Sequence, residues 1–87
     1  MCRNIRRLHN YSPPVTDAEI HEAAVQYVRK VGGFIRPSRV NAATFDDAVA
    51  EIASATRRLV DGLVTSAPPR SREEDARRAR ERREARG

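Results

Sequence analysis

Residues 16–34, TDAEIHEAAVQYVRKVGGF, spell out one helix from its first residue to its stop. Thr16 followed three positions later by Glu19 is a capping box, in which each side chain satisfies an orphan backbone N–H of the first turn. Val15 and Ile20 stand at the flanking apolar positions of that box. Ile20, Ala23, Ala24, Tyr27, Val28 and Val31 then recur at the i, i+3, i+4 spacing of an amphipathic helix. Arg29 and Lys30 suit the negative end of the helix dipole. Gly32-Gly33 offers the left-handed residue that ends a helix, and Phe34 is placed to fold back as its apolar seal.

A second helix follows after the connection GGFIRPS. It begins between Ser38, one capping residue, and Thr44, which with Asp47 forms a rival box. Phe45, Val49, Ile52, Thr56, Leu59 and Leu63 make a heptad-like stripe. Ala48, Ala53 and Ala55 beside it permit close helix approach, and Pro68 ends anything that reaches it. The spacing predicts helices over about 16–31 and 39–64, an all-α helical hairpin. A basic N-terminal arm, residues 1–15, brings Ile5, Leu8 and Tyr11 as cover for one side. Residues 1–67 form the expected small domain.

Residues 68–87 read as an Arg/Glu-rich tail. Within it SREEDARRARERREARG carries a box at Ser71 and Glu74, and Glu73–Arg77 and Glu74–Arg78 are i,i+4 pairs. It has alanines but no apolar stripe. Nothing in the pattern pins it to a core, so it is expected as a solvated helix or as disorder.

Two helices make a thin core, and domains of this size bury only ~60% of their unfolded surface. Such a unit completes its core with a copy of itself or with a partner. The expected interface is Phe45, Val49, Ile52, Leu59 and Leu63.

The 87 residues carry a net charge of +5, with 17 Lys and Arg against 12 Asp and Glu. Sixteen of the seventeen are arginine. There is no Trp, and two Tyr and two Phe supply few stacking platforms for bases. One cysteine cannot form an internal disulfide and fits a reducing compartment. No apolar leader or membrane-length run is readable. The expectation is a cytoplasmic protein with no membrane association.

The words MCRNI (1–5), TDAEI (16–20), QYVRKVGGF (26–34), RPS (36–38), ATRRL (55–59) and LVTSAPPR (63–70) fall in order. In this the chain resembles a small family of bacterial and plant proteins that carries only a domain-of-unknown-function label. The resemblance covers residues 1 to about 72. Tyr27 and Gly32 stand where that family tends to have Phe and Ser. The resemblance implies a compact helical protein and no catalytic activity.

Cys2 invites a chemical reading. Once Met1 is removed, its amine and thiolate would stand together, and Arg3, Arg6 and Arg7 would favour the thiolate. Class II glutamine amidotransferases begin in the same way, but their fold needs a much longer chain. The plainer reading is a small apolar group at the head of the arm. A metal would need Cys2 with His9 and His21, whose spacings match no familiar zinc pattern. No metal and no cofactor are expected.

Arg36 and Arg39 flank Ser38, where a helix N-terminus would suit a phosphate. The adjacent glycines do not match the helix-hairpin-helix order, so an ordinary loop with solvated arginines is the competing reading. The other arginines group in the arm (Arg3, Arg6, Arg7), on the second helix (Arg57, Arg58) and in the tail (Arg77, Arg78, Arg82, Arg83 among them). Such runs hold phosphate backbones by counterion release, without sequence choice. No Ser–His–Asp set, phosphate-binding loop, dinucleotide fingerprint or carboxylate pair is visible, so no enzyme is expected.

The expected function is that of a small basic helical protein contacting RNA or DNA phosphates through arm and tail, in a ribonucleoprotein setting. The sites are Arg3, Arg6, Arg7, Arg36, Arg39, Arg77, Arg78, Arg82 and Arg83. The alternatives are a protein–protein adaptor or homodimer built on the stripe, and a Cys2-dependent metal or thiol protein.

Overall fold

The computed structural model describes residues 5–86. Helix α1 spans Asp17–Gly32, α2 spans Ala42–Gly62 after one 3-10 turn at Arg39–Asn41, and α3 spans Arg72–Arg86. Among the described residues there is no β-strand, and the protein is all-α around an α1–α2 hairpin.

The capping box forms. Thr16 is extended, its Oγ1 accepts from the Glu19 N–H at 3.2 Å, and its own N–H donates to Glu19 Oε1 at 2.9 Å. At the other end Gly33 takes the left-handed conformation, φ 79°, and its N–H reaches the Arg29 carbonyl at 2.9 Å. The Phe34 ring folds over Gly32 so closely that a Cβ there would lie 2.7 Å from Phe34 Cε1. The same ring meets Phe45, centroid to centroid at 5.9 Å, and so joins the end of α1 to the start of α2.

Helix α2 uses neither expected cap. Asn41 stands before it with helical backbone, φ −102° and ψ −1°, and makes no side-chain cap. The chain arrives already helical: the Asn41 N–H donates to the Ser38 carbonyl and the Ala42 N–H to the Arg39 carbonyl. The first N–H groups are thus satisfied by the 3-10 turn, and no hydroxyl is required. Ser38 Oγ instead accepts from Asn41 Nδ2 at 2.9 Å. The helix ends at Gly62, and Leu63 is extended.

The hairpin is antiparallel. Phe34 and Phe45 close one end, and Arg57 pairs with Asp17 at 2.7 Å at the other. Its buried apolar residues are Val15, Ile20, Ala24 and Val49. Fully burying an Ile or Val side chain contributes about 1.5–3 kcal/mol, so this set is a small core. The α2 stripe is covered only in part. Val49 is buried, Phe45 and Ile52 are half-buried, and Leu59 and Leu63 are exposed at 59% and 45%. Length explains this: α1 is about 24 Å long and α2 about 32 Å at 1.5 Å per residue. Position 57 already faces the first residue of α1, so Leu59 and Leu63 run past it. On α1 the stripe also gives out, with Tyr27 and Val31 exposed.

The tail takes one of its two expected forms, an exposed helix, and departs from expectation in being held at its root. It is helical from Arg72, and Ser71 Oγ accepts from the Glu74 N–H at 3.3 Å as its capping signal requires. Its backbone packs against neither α1 nor α2. It is nevertheless fixed at its root, by the arm.

Candidate functional site

Arm and tail are joined by a polar clasp. Asn10 takes a left-handed conformation, φ 65°, which Asn tolerates better than most residues. Its carbonyl accepts from the Arg70 N–H at 2.8 Å, and the Ser12 N–H donates to the Arg70 carbonyl at 3.1 Å. This is a single parallel bridge at Tyr11 and Arg70. Asn10 Nδ2 donates to the carbonyls of Ala67 and Pro68 at 3.4 and 3.2 Å. The Pro68-Pro69 pair, which has no N–H to donate, thereby has a carbonyl engaged.

Side chains complete the joint. The Tyr11 hydroxyl donates to one oxygen of Asp75, and Arg70 Nη2 pairs with the other at 2.7 Å. Arg72 grips Glu19 with two bonds, Nε to Oε2 and Nη2 to Oε1, each 3.1 Å. Its third nitrogen, Nη1, donates to the Pro13 carbonyl at 2.6 Å. The guanidinium lies over the Tyr11 ring, 5.0 Å from its centroid. Bidentate geometry of this kind is the stronger form of ion pair.

The titrating groups respond. The Thr16 N–H and then Arg72 hold the Glu19 carboxyl below its ordinary value. The Tyr11 hydroxyl and then Arg70 do the same for Asp75. Burial, followed by the bond to Asp75 and its charge, pushes the Tyr11 phenol up.

Beside the clasp a cleft of about 590 Å³ opens between the arm and α3. Leu8, Tyr11, Ala76 and Ala79 supply its apolar surface. Eight arginines line it against two carboxylates, Glu19 and Asp75, a surplus of six positive charges. Arg70 and Arg72 are those held by the two carboxylates. The other six are Arg6 and Arg7 from the arm and Arg78, Arg80, Arg82 and Arg83 from α3. Among the described residues these six make no ion pair. None of Glu73, Glu74, Glu81 or Glu84 lines the cleft. The charges of α3 are thus segregated, with unpaired arginines towards the arm and its glutamates elsewhere.

The cleft brings together five of the arginines singled out in the sequence: Arg6, Arg7, Arg78, Arg82 and Arg83. Arg77 does not line it. It pairs with Glu81 at 2.7 Å, and the expected Glu73–Arg77 and Glu74–Arg78 pairs do not form. Arg36 and Arg39 are exposed on the α1–α2 connection, at the far end of α1 from Glu19. The helix beginning at Arg39 is three residues long and Ser38 gives it no side-chain cap. Arg3 and Cys2 lie outside the described residues. Arg57 is taken up by Asp17 and Asp61, and Arg58 donates to Ser54 Oγ.

His9 is half-buried and His21 exposed. Among the described residues no three His, Cys, Asp or Glu side chains gather where they could hold a metal. No described helix is long and apolar enough to cross a membrane.

The sequence reading missed Arg70, Arg72 and Arg80, and with them the roles of Glu19, Asp75 and Tyr11. Asp75 had a signal, since it stands in the first turn of a capped helix where an acid complements the dipole. The partners of Arg72 had none, being more than fifty positions away.

No curated protein and no solved structure matches the chain. A family model described as an uncharacterised conserved protein family, DUF2277, matches residues 1–78, which include the arm, the hairpin and the whole clasp. The chain belongs to the DUF2277 family.

Proposed function

We propose that this is a binding protein, not an enzyme, and that it holds RNA or DNA by their phosphates in the cleft between arm and α3. One observation carries the reading: six arginines without an acidic partner among the described residues converge on one concavity from two segments far apart in sequence. Unpaired guanidiniums around a cleft raise the local positive potential and match phosphate oxygens in planar, bidentate geometry. The reading places the protein in the cytoplasm, consistent with its single cysteine, where a ribonucleoprotein is the natural setting.

Fluorescence anisotropy of a labelled oligonucleotide over a salt series tests it. Each phosphate contact lowers log K by about 0.7–0.9 per decade of salt, so six arginines in use give a slope of roughly four to five. Binding that ignores salt, or no binding at low salt, removes the reading.

A second reading rests on the uncovered end of α2. Leu59, Leu63 and Val64 are exposed at 59%, 45% and 95%, close together in sequence. Self-association or an adaptor contact through that end is tested by sedimentation of the protein and of Leu59→Asp. A single monomeric species over the whole concentration range for both removes it.

A further inference from the structure

The nucleic acid that suits this cleft is set by how charge is distributed around α3. An α-helix is about 10–12 Å across and the major groove of a duplex about 12 Å wide, so size alone would let α3 enter a duplex. Inside a groove, however, a helix has phosphate walls on both flanks. Glu73, Glu74, Glu81 and Glu84, which lie off the cleft, would then be brought towards phosphates. Helix α3 carries only six arginines beyond Asp75, and Arg77 among them is neutralised by Glu81.

The cleft presents the opposite situation. Arg6 and Arg7 stand on one wall and Arg78, Arg80, Arg82 and Arg83 on the other. Whatever enters meets arginine from both sides, and its only acids, Glu19 and Asp75, are already held by Arg72 and Arg70. Its volume, about 590 Å³, lies in the range of a small-ligand pocket. One backbone lying between the two walls meets arginine on both sides, whereas a duplex presents two backbones, set about 6 Å or about 12 Å apart across its grooves.

Bases have little to hold them. Tyr11 is the one aromatic side chain of the cleft, and Arg72 covers its ring while Asp75 takes its hydroxyl. The stacking that usually accompanies a basic groove in single-strand binders is absent from the described cleft.

We infer that the arm–α3 cleft takes a single-stranded nucleic-acid backbone, gripped by its phosphates from two sides and without base preference, in preference to a duplex. This rests on the phosphate-binding reading above.

The test compares labelled single strands of about a dozen nucleotides, mixed-sequence and all-pyrimidine, with the mixed-sequence duplex of the same length, in a salt series by anisotropy. The expected result is single-strand affinity at least ~10-fold above duplex affinity at equal salt, with the two single strands within ~2-fold of each other. Arg82→Gln with Arg83→Gln is expected to lower the single-strand salt slope by about 1.4, at ~0.7 per lost contact. Glutamine matches arginine in helix propensity, so α3 is retained. Arg77→Gln, outside the cleft, is expected to leave affinity and slope unchanged. Duplex binding as tight as single-strand binding, or an Arg77→Gln loss equal to that of the double variant, overturns the single-strand inference while leaving phosphate binding in place. Failure of all three probes to bind overturns both.

Discussion

Arg72 and Glu19, 53 positions apart, meet through two parallel hydrogen bonds of 3.1 Å, and the same Glu19 oxygen that receives Arg72 Nη2 also accepts the Thr16 N–H that starts α1. One carboxylate therefore serves two structures, the first turn of α1 and the root of α3. Both groups are about one-third exposed, so the pair is neither a free surface contact nor a desolvated one.

Separating the two roles of Glu19 is the first expected outcome. Glu19→Gln keeps an acceptor for the capping box but removes the charge that grips Arg72. Glu19→Ala removes both. Loss of a whole cap costs ~1 kcal/mol, which shifts Tm by about 4–8 °C in a domain of this size. Glu19→Ala leaves the Thr16 Oγ1 bond to the backbone N–H in place, so it should cost a part of that beyond the lost ion pair. Amide exchange at Arg70, whose N–H is bonded to Asn10, should speed up in both variants, while the Tm loss should be clearly larger in Glu19→Ala.

The clasp has a pH window with two edges. Glu19 and Asp75 are held below their ordinary values when folded, so their contribution is complete above the unfolded carboxyl range, ~3.9–4.3, and is lost as pH falls below that range through the folded values. Tyr11 is raised when folded, so its contribution is complete below the ordinary phenol value of ~10 and is lost as pH rises through the folded value. Amide exchange at Arg70 followed against pH should show protection falling at both edges. Tyr11→Phe should remove the alkaline edge and shrink the acid one, leaving there the Glu19 contribution and the part of Asp75's that comes from Arg70.

At Gly33 the cost of a side chain is purely conformational. Nothing lies within 4 Å of a Cβ built there, but φ is 79°. Gly33→Ala should lower stability by about 1 kcal/mol with no change in far-ultraviolet helicity. At Gly32 the obstacle is the Phe34 ring, so Gly32→Ala should instead perturb the Phe34–Phe45 contact, visible as shifted aromatic resonances.

The α2 stripe should split in two. Ile52→Asp places a charge in a half-buried position of a very small core and should unfold the protein, because an unpaired charge is not accommodated there. Leu59→Asp alters a residue that is 59% exposed and should leave helicity and Tm within the range of surface substitutions. Circular dichroism of the two variants checks both.

What was legible in the sequence was local. Thr16 with Glu19 and Gly33 with Phe34 each state a backbone event within a few residues and occur as written, and of the Ser71–Glu74 box the Ser71 half forms. The half of the α2 stripe that faces α1 was legible for the same reason. The limit of that stripe was not, since Leu59 and Leu63 lose cover through the relative lengths of two helices. The clasp was least legible. Tyr11 read as apolar cover, Arg72 as one arginine in a run, and Glu19 as already used by the capping box. Their meeting depends on folding that brings residues 10–13 beside residues 67–75, and no periodicity encodes it. The cleft follows from the clasp, so its arginines could be grouped by composition but not assembled.

Because the bridge at Tyr11 and Arg70 closes the chain on itself, both ends of the described polypeptide emerge beside the basic cleft. A purification tag or fluorescent protein fused at either end would therefore stand at the mouth of the cleft and compete sterically with any polyanion. Arg36, exposed in the connection at the far end of α1 and past the Phe34 seal, is a position where a reporter can be inserted without screening the cleft. Absence of binding therefore tells against phosphate recognition only when the untagged protein is used.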